Sequence, residues 1–256
     1  MGSFWNQRWL DIEQSLQRVD WPHFRRESIV KFIQTMPSKL EEWHTICLRD
    51  GVPLDWAVDS TFGDPIGEFI NGKFLTASSL RHAHQAYRIL SRWSPHQPIT
   101  IVEVGAGYGG FPRIFHRLAN VVEYCLVDAA PILTIQKHYL NVTTGFDRFR
   151  YLEPGEPWPD CDLVLNSNSF AEMDPTEVAW YFAEIQSKLR EGGRLYLTNR
   201  VHHQTDFGRY PYDGHWDHDV TEQIDGMFVE CLSERRLDAS SEHPDTLLME
   251  KIHGTT

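Results

Sequence analysis

The stretch Ile101-Val102-Glu103-Val104-Gly105-Ala106-Gly107-Tyr108-Gly109-Gly110 decides how this chain reads. An apolar run passes through one acidic residue into a turn dense in glycine. From Ile99 to Val104 the residues are mostly β-branched and apolar, the composition of a strand buried on both faces of a parallel sheet. After the glycines, Phe111-Pro112 opens a segment with Ile114, Phe115 and Leu118 at helical spacing, and a proline in the first helical turn forfeits no hydrogen bond. The order is strand, glycine turn, helix. Glycine permits the positive φ of a tight turn and lets a ligand reach bare backbone, while a helix start offers unpaired N–H groups.

The next apolar run, Val121 to Val127, ends in Asp128, where a carboxylate can accept hydrogen bonds from both hydroxyls of a ribose. Together these features describe a nucleotide-type cofactor site. Gly105, Gly107 and Gly110 also satisfy G-x-G-x-x-G, the dinucleotide fingerprint, so the motif alone does not choose the cofactor. Three features favour S-adenosylmethionine (SAM) over NAD. Glu103 lies two residues before the first glycine, in the E-x-G-x-G-x-G pattern of class I methyltransferases, and its carboxylate suits a cationic ligand that carries an amino acid. The turn follows a long helical stretch, whereas dinucleotide folds usually open with it. The chain closes with two strand-like runs, Gly226 to Cys231 and Thr246 to Ile252, whose polar linker is too short for a crossover helix and implies an antiparallel edge pair.

Further strands are expected at Phe149 to Leu152, Asp162 to Ser167 and Arg194 to Thr198, alternating with helices. One helix starts at Asp174-Pro175-Thr176-Glu177 with Asp174 as cap, and Gly192-Gly193 should stop it. Another carries Leu80, Ala83, Tyr87 and Leu90 on one face, with Ser78-Ser79 available to cap it. From Phe4 to about Lys39 the apolar residues recur at near-helical spacing, broken at Trp21-Pro22, and the turn-rich stretch Asp50 to Phe74 is expected to wrap over the cofactor site. Trp5, Trp9, Trp21 and Trp43 then serve the core or a homodimer contact rather than a ligand. The organisation expected is a helical N-terminal extension and cover over residues 1–76, then a cofactor-binding domain over 77–256 with a lid-like insertion at about 202–222.

A chain of 256 residues fits one enlarged domain that needs no staples. Its formal net charge of -12 argues against nucleic acid, whose phosphates call for clustered lysine and arginine. The four cysteines form no C-x-x-C pair and read as reduced structural thiols, no stretch reaches the length of a membrane span, and the expected location is cytoplasmic.

Three segments resemble the sugar O-methyltransferase family of the class I SAM-dependent superfamily: Ile101 to Phe115, Tyr124 to Asn141, and Asp162 to Arg200. The resemblance is most specific in Gly107-Tyr108-Gly109-Gly110 and in Asn168-Ser169-Phe170-Ala171-Glu172; Leu80-Arg81 is similar to an arginine-bearing helix that precedes the first strand in that family, and Ala171 stands where the family often has serine. It implies a Rossmann-like class I methyltransferase fold, a mostly parallel sheet with the antiparallel edge pair at its C-terminal side. By the same resemblance Glu103, Gly105, Gly107 and Gly109 form the cofactor turn, Asp128 holds the ribose, Arg81 reaches the methionine carboxylate, Glu153 lies near the adenine, and Asn168 and Glu172 face cofactor or substrate.

The activity implied is methyl transfer from SAM to a hydroxyl of a sugar in a glycoside, oligosaccharide or polysaccharide. A base must take the hydroxyl proton, and a positioned one contributes about 10²- to 10⁴-fold. His202 or His203, which follow the expected fifth parallel strand, are the candidates, with Glu172 as competitor or orienting partner. Aromatic and acidic residues in Asp206 to Asp219 suit a lid over a carbohydrate. His215, Asp217, His218 and Asp219 have the composition to hold a divalent cation, although no metal site is assigned to them. The alternatives are methylation of a non-sugar small molecule, an NAD-dependent oxidoreductase, or a binding protein that keeps the fold without turnover.

Overall fold

The computed structural model describes residues 12–27, 30, 34, 37–170, 173, 175–199, 228–234 and 245–251. After a helical turn at 12–16 and a 3₁₀ segment at Trp21–Arg26, the chain forms α1 (Leu40–Arg49), a hairpin of β1 (Glu68–Ile70) and β2 (Lys73–Leu75), and α2 (Ala77–Leu90). Then come β3 (Ile99–Val104), α3 (Gly110–Phe115), β4 (Val121–Val127), α4 (Ala130–Thr143), β5 (Phe149–Leu152), β6 (Cys161–Ser167), α5 (Pro175–Lys188), β7 (Leu189–Asn199), β8 (Phe228–Glu234) and β9 (Asp245–Lys251). Strands β3 to β9 form one sheet in the order β5-β4-β3-β6-β7-β9-β8. Neighbours from β5 to β7 are parallel, whereas β9 is antiparallel to both β7 and β8. The edge pair expected from the sequence is therefore present, with β9 inserted between β7 and β8.

All six residues of β3 are buried, because helices cover both faces of the sheet. The period of two sends Ile101 with Tyr124, Leu126, Leu163 and Leu165 into a core shared with Phe111 and Phe115 of α3, Ile132, Ile135 and Leu140 of α4, and Ile89 of α2. Val102 and Val104 face the other way, with Cys125, Val127, Val164 and Leu195, against Val178, Phe182 and Ile185 of α5. Each such side chain contributes about 1.5–3 kcal/mol when fully buried, so the inner strands hold the layers together.

Several element ends differ from expectation; β7 begins at Leu189 rather than Arg194, and β8 runs to Glu234 rather than Cys231. Helix α2 is capped by Thr76 rather than by Ser78 or Ser79: Thr76 Oγ1 accepts from Ser79 N at 3.0 Å while Thr76 N donates to Ser79 Oγ at 3.0 Å, a reciprocal box that moves the start two residues back. Helix α5 ends at Lys188 and not at Gly192-Gly193. Those glycines sit in a register slip at the start of β7, where Leu189 pairs with Cys161 but Arg194 already pairs with Leu163. Gly192 takes φ 72° there, and a Cβ on Gly193 would lie 2.7 Å from Arg190 O. Asp174, the expected cap of α5, lies outside the described residues.

The segment before α2 is fastened to the sheet half by buried charge. Asp59 accepts from Arg25 Nη2 at 2.9 Å, Arg113 Nη2 at 3.1 Å, Thr76 Oγ1 at 2.6 Å, Ser60 N at 2.7 Å and Tyr139 OH at 3.3 Å. Arg25 also donates to Tyr108 OH at 3.1 Å and lies over the Tyr108 ring, 4.7 Å from its centre. Burial alone would raise the Asp59 pKa, yet the charges of Arg25 and Arg113 hold it at about 2. Trp21 belongs to the same layer, its ring centre 3.9 Å from that of His138.

Candidate functional site

The winding of the sheet reverses between β3 and β6, since β4 and β5 lie to one side of β3 while β6 and β7 lie to the other. Open α/β sheets bind ligands in the crevice at the carboxyl ends of the strands beside such a point. Glu103, the glycine turn, Asp128 and Asn168 all sit there, on the ends of β3, β4 and β6. A surface groove lined by Thr100, Glu123, Phe149 and Arg150 lies at the opposite ends of β3, β4 and β5.

Gly105, Gly107 and Gly109 have φ of 74°, 58° and 95°, a left-handed backbone that glycine adopts at little cost. Bareness at two of them serves the protein's own packing rather than a ligand. A Cβ on Gly105 would overlap the Ser169 side chain, and one on Gly109 would come within 3.1 Å of Leu140. The loop after β6 thus packs directly on the first glycine, held by Ser169 Oγ donating to Val104 O at 3.1 Å and Asn166 Nδ2 donating to Val104 O at 3.0 Å.

Glu103 is 3% exposed and accepts a hydrogen bond from Tyr124 OH. Burial is the main force on its carboxyl and the Asp128 charge adds to it; the Tyr124 bond and the Arg81 charge oppose, and the balance lifts the pKa to about 8. Asp128 Oδ1 accepts from Ala129 N at 2.9 Å and Oδ2 from Gln136 Nε2 at 2.9 Å, and the same Nε2 donates to Gly107 O at 3.0 Å. Arg81 lies at the end of β6, its Nη1 donating to Ser167 Oγ at 3.4 Å beside Gln85 Nε2 at 3.0 Å. Burial and the Arg81 charge push His82 well below its usual pKa, so its neutral Nε2 can accept from Arg81 Nη2 at 3.3 Å. Asn168 takes the left-handed φ of 65°, its N–H donating to Thr198 O at 2.6 Å. Its Oδ1 is buried with no hydrogen-bond partner among the described residues, and such a group at the rim of a crevice is suited to a ligand donor.

The structure therefore brings together Arg81, Glu103, Gly105, Gly107, Gly109, Asp128 and Asn168. Glu153 is exposed beyond β5, its backbone N bonded to Glu156 Oε2 at 2.6 Å. Glu172, His202, His203, the expected lid at 202–222 and the cluster His215, Asp217, His218 and Asp219 lie outside the described residues. Among the described residues no group of three metal-binding side chains occurs, and no helix is long and apolar enough to cross a membrane.

Sequence reasoning missed Gln136, Tyr124 and Ser169. Gln136 had a signal: it is the polar member of a helix face otherwise made of Ile132, Ile135, Tyr139 and Leu140, and all of these are buried. Tyr124 and Ser169 had none, because their partners are distant in sequence.

No family model and no curated protein matches this chain. Solved structures do. Geranyl diphosphate methyltransferase, solved with GPP and sinefungin, is similar at 17% identity and TM-score 0.54, covering 69% of this chain and 81% of that one. The N-methyltransferase NodS from Bradyrhizobium japonicum, solved with S-adenosyl-L-homocysteine, is similar at 13% identity and TM-score 0.52 over 67% of this chain and 85% of its own. An O-methyltransferase family 2 protein from Planctomyces limnophilus, in complex with apigenin, shares 21% identity at TM-score 0.50 over 67% of this chain; the match spans 58% of that protein's length. With β9 set between β7 and β8 beside a parallel sheet, and with neighbours of this kind, the chain has the Rossmann-like class I methyltransferase fold.

Proposed function

We propose that this chain binds SAM and transfers its methyl group to a hydroxyl of a small acceptor, with a sugar as the acceptor class. The observation that carries the reading is the pair of carboxylates, Glu103 and Asp128, at the ends of adjacent strands on either side of a left-handed glycine turn. A carboxyl held near neutrality by burial regains its charge when a cation arrives, which suits the ammonium or sulfonium of SAM. In this reading Glu103 holds the amino acid end, Asp128 accepts from the ribose hydroxyls, Arg81 pairs with the ligand carboxylate, and Gly105, Gly107 and Gly109 shape the backbone beneath it. Asn168 offers at the rim a carbonyl oxygen that has no partner among the described residues.

When bound, SAM supplies a methyl carbon open to in-line displacement. The protein aligns the acceptor oxygen with it, and such positioning supplies much of the rate. His202, His203 or Glu172 takes the hydroxyl proton. The sugar class rests on the resemblance of Asn168 to Glu172 and of the glycine turn. A non-sugar small-molecule acceptor is the second reading, favoured by the apigenin and GPP carried by the two small-molecule neighbours.

Calorimetric titration with S-adenosylhomocysteine and with NADH tests the cofactor. Binding of the first is expected, with Kd raised about 10- to 100-fold by Asp128→Asn, the loss expected for hydrogen bonds to a charged group. NADH binding without S-adenosylhomocysteine binding overturns the proposal. A screen of glycosides, phenols and terpenoid alcohols then separates the two acceptor readings, and unchanged turnover in His202→Ala, His203→Ala and Glu172→Gln alike removes all three from the chemistry.

A further inference from the structure

Ser167 ends β6 at the crevice, and two side chains of α2 meet at its hydroxyl. Arg81 and Gln85 stand at i and i+4, so they share one face of the helix, and both reach the same oxygen: Arg81 Nη1 donates to Ser167 Oγ at 3.4 Å and Gln85 Nε2 at 3.0 Å. A guanidinium has no acceptor, so Ser167 can only accept from Arg81, and the Gln85 amide is oriented with its nitrogen toward the hydroxyl. A serine oxygen has two lone pairs. Both are taken, which compels the O–H to donate, and no acceptor for it occurs among the described residues. Gln85 is buried among Ala83, Ala86 and Ile89 of its own helix, where an apolar side chain would pack without desolvating an amide. Packing alone therefore does not account for it.

The geometry points to Ser167 as a further ligand-binding residue, which donates its hydroxyl hydrogen to the carboxylate of the cofactor's amino acid beside Arg81, with Gln85 as the positioning residue that aims it. This rests on the SAM reading above. A compelled donor next to a guanidinium suits an anion, whereas a cation or a second donor would meet the Arg81 charge and find no lone pair on the serine. Ser167 is half-buried at the strand end, beside Asn168, so the hydroxyl stands where a ligand can reach it. Gln85 acts at one remove. Without it one lone pair of Ser167 is released, and the hydroxyl turns freely about its Cβ–Oγ bond.

The test is calorimetry on the full chain with S-adenosylhomocysteine and with its decarboxylated analogue, which keeps the amine and lacks only the carboxylate. Wild type is expected to prefer the amino acid form about 100-fold, and Ser167→Ala to cut that preference about tenfold, the value of one hydrogen bond to a charged acceptor. Affinity for the analogue should change little. Gln85→Leu is expected to lose part of the preference, and to lose nothing more when combined with Ser167→Ala, because it acts through that hydroxyl; additive losses overturn the role of Gln85. A Ser167→Ala protein that keeps the wild-type preference overturns the assignment, as does one that weakens both ligands equally, since that is what a purely structural residue does. If the alanine variant does not fold, Ser167→Cys, a weak donor of similar size, decides by the same comparison. Wild type that binds S-adenosylhomocysteine but ignores the loss of its carboxylate sinks this inference and leaves the cofactor; wild type that binds neither ligand sinks both.

Discussion

Two polar clusters flank the glycine turn, and they are built on opposite rules. Behind it, Asp59 is buried between Arg25 and Arg113 and also receives Thr76, Ser60 and Tyr139, so its charge is fully answered from within. In front of it, Glu103 is lifted toward neutrality, and among the described residues Gln136 Oε1 is unanswered and the left-handed Asn168 has its Oδ1 unpaired. Buried polar networks that are complete rigidify a fold, while each unsatisfied buried group calls for its own explanation. The first cluster holds the turn still; the second, under the function proposed above, is where a ligand would complete the hydrogen bonding.

Breaking the closed cluster should have the largest effect. Asp59→Ala leaves two arginines facing each other in the interior, and removal of one partner from a buried pair costs about 3–5 kcal/mol. Chemical denaturation should show that loss, and a change under about 1 kcal/mol would mean that the cluster is not closed in solution. Next comes the turn between the clusters. Gly105→Ala combines a left-handed alanine with overlap onto Ser169, expected at about 2–4 kcal/mol, and Ser169→Gly in the same chain should restore part of it.

The two clusters should also set opposite pH limits. The Asp59 pKa is depressed from near 3.8 to about 2, so its contribution is present above that ordinary value and is lost as pH falls toward 2. Glu103 is raised from near 4.5 to about 8, so the ligand-free fold is favoured below 4.5 and weakens as pH climbs through that window. Melting temperatures of Glu103→Gln should therefore lack the alkaline decline of the wild type while keeping its acid limit; parallel curves would remove Glu103 as the cause. The smallest effect is expected for Ser169→Ala, which deletes the bond to Val104 O and costs about 1 kcal/mol in a denaturant titration.

The legible parts of this molecule are those whose signal is local. Strands β3, β4 and β5 begin and end where the sequence places them, because each is a short run dominated by β-branched, aromatic or apolar residues and bounded by turn-forming or helical segments. The glycine turn and Asp128 follow from spacing along the chain. Helix α2 shows the limit: two serines advertise a cap, yet Thr76 takes the role because its own partner, Asp59, anchors it in the interior. Gly192-Gly193 look like a helix stop but serve the slip between β6 and β7, a matter of register that no single segment contains. Arg25 and Asp59 lie 34 positions apart and read as solvated charges, since nothing local marks an ion pair that only the packed core creates. Gln136 lies between these cases, visible as an intrusion on an apolar face but not as a partner of Asp128.

The eight-residue interval from Asp128 to Gln136 runs through the first turns of α4, and each helical residue advances the face by about 100°. One inserted or deleted residue there would swing Gln136, Tyr139 and Leu140 off the turn together. The hairpin tip at Asn71-Gly72, where a Cβ on the glycine meets nothing, carries no such constraint. Length variation among relatives of this chain should collect at that tip and be absent from the interval, so an aspartate with a glutamine eight positions on becomes a ruler for recognising them.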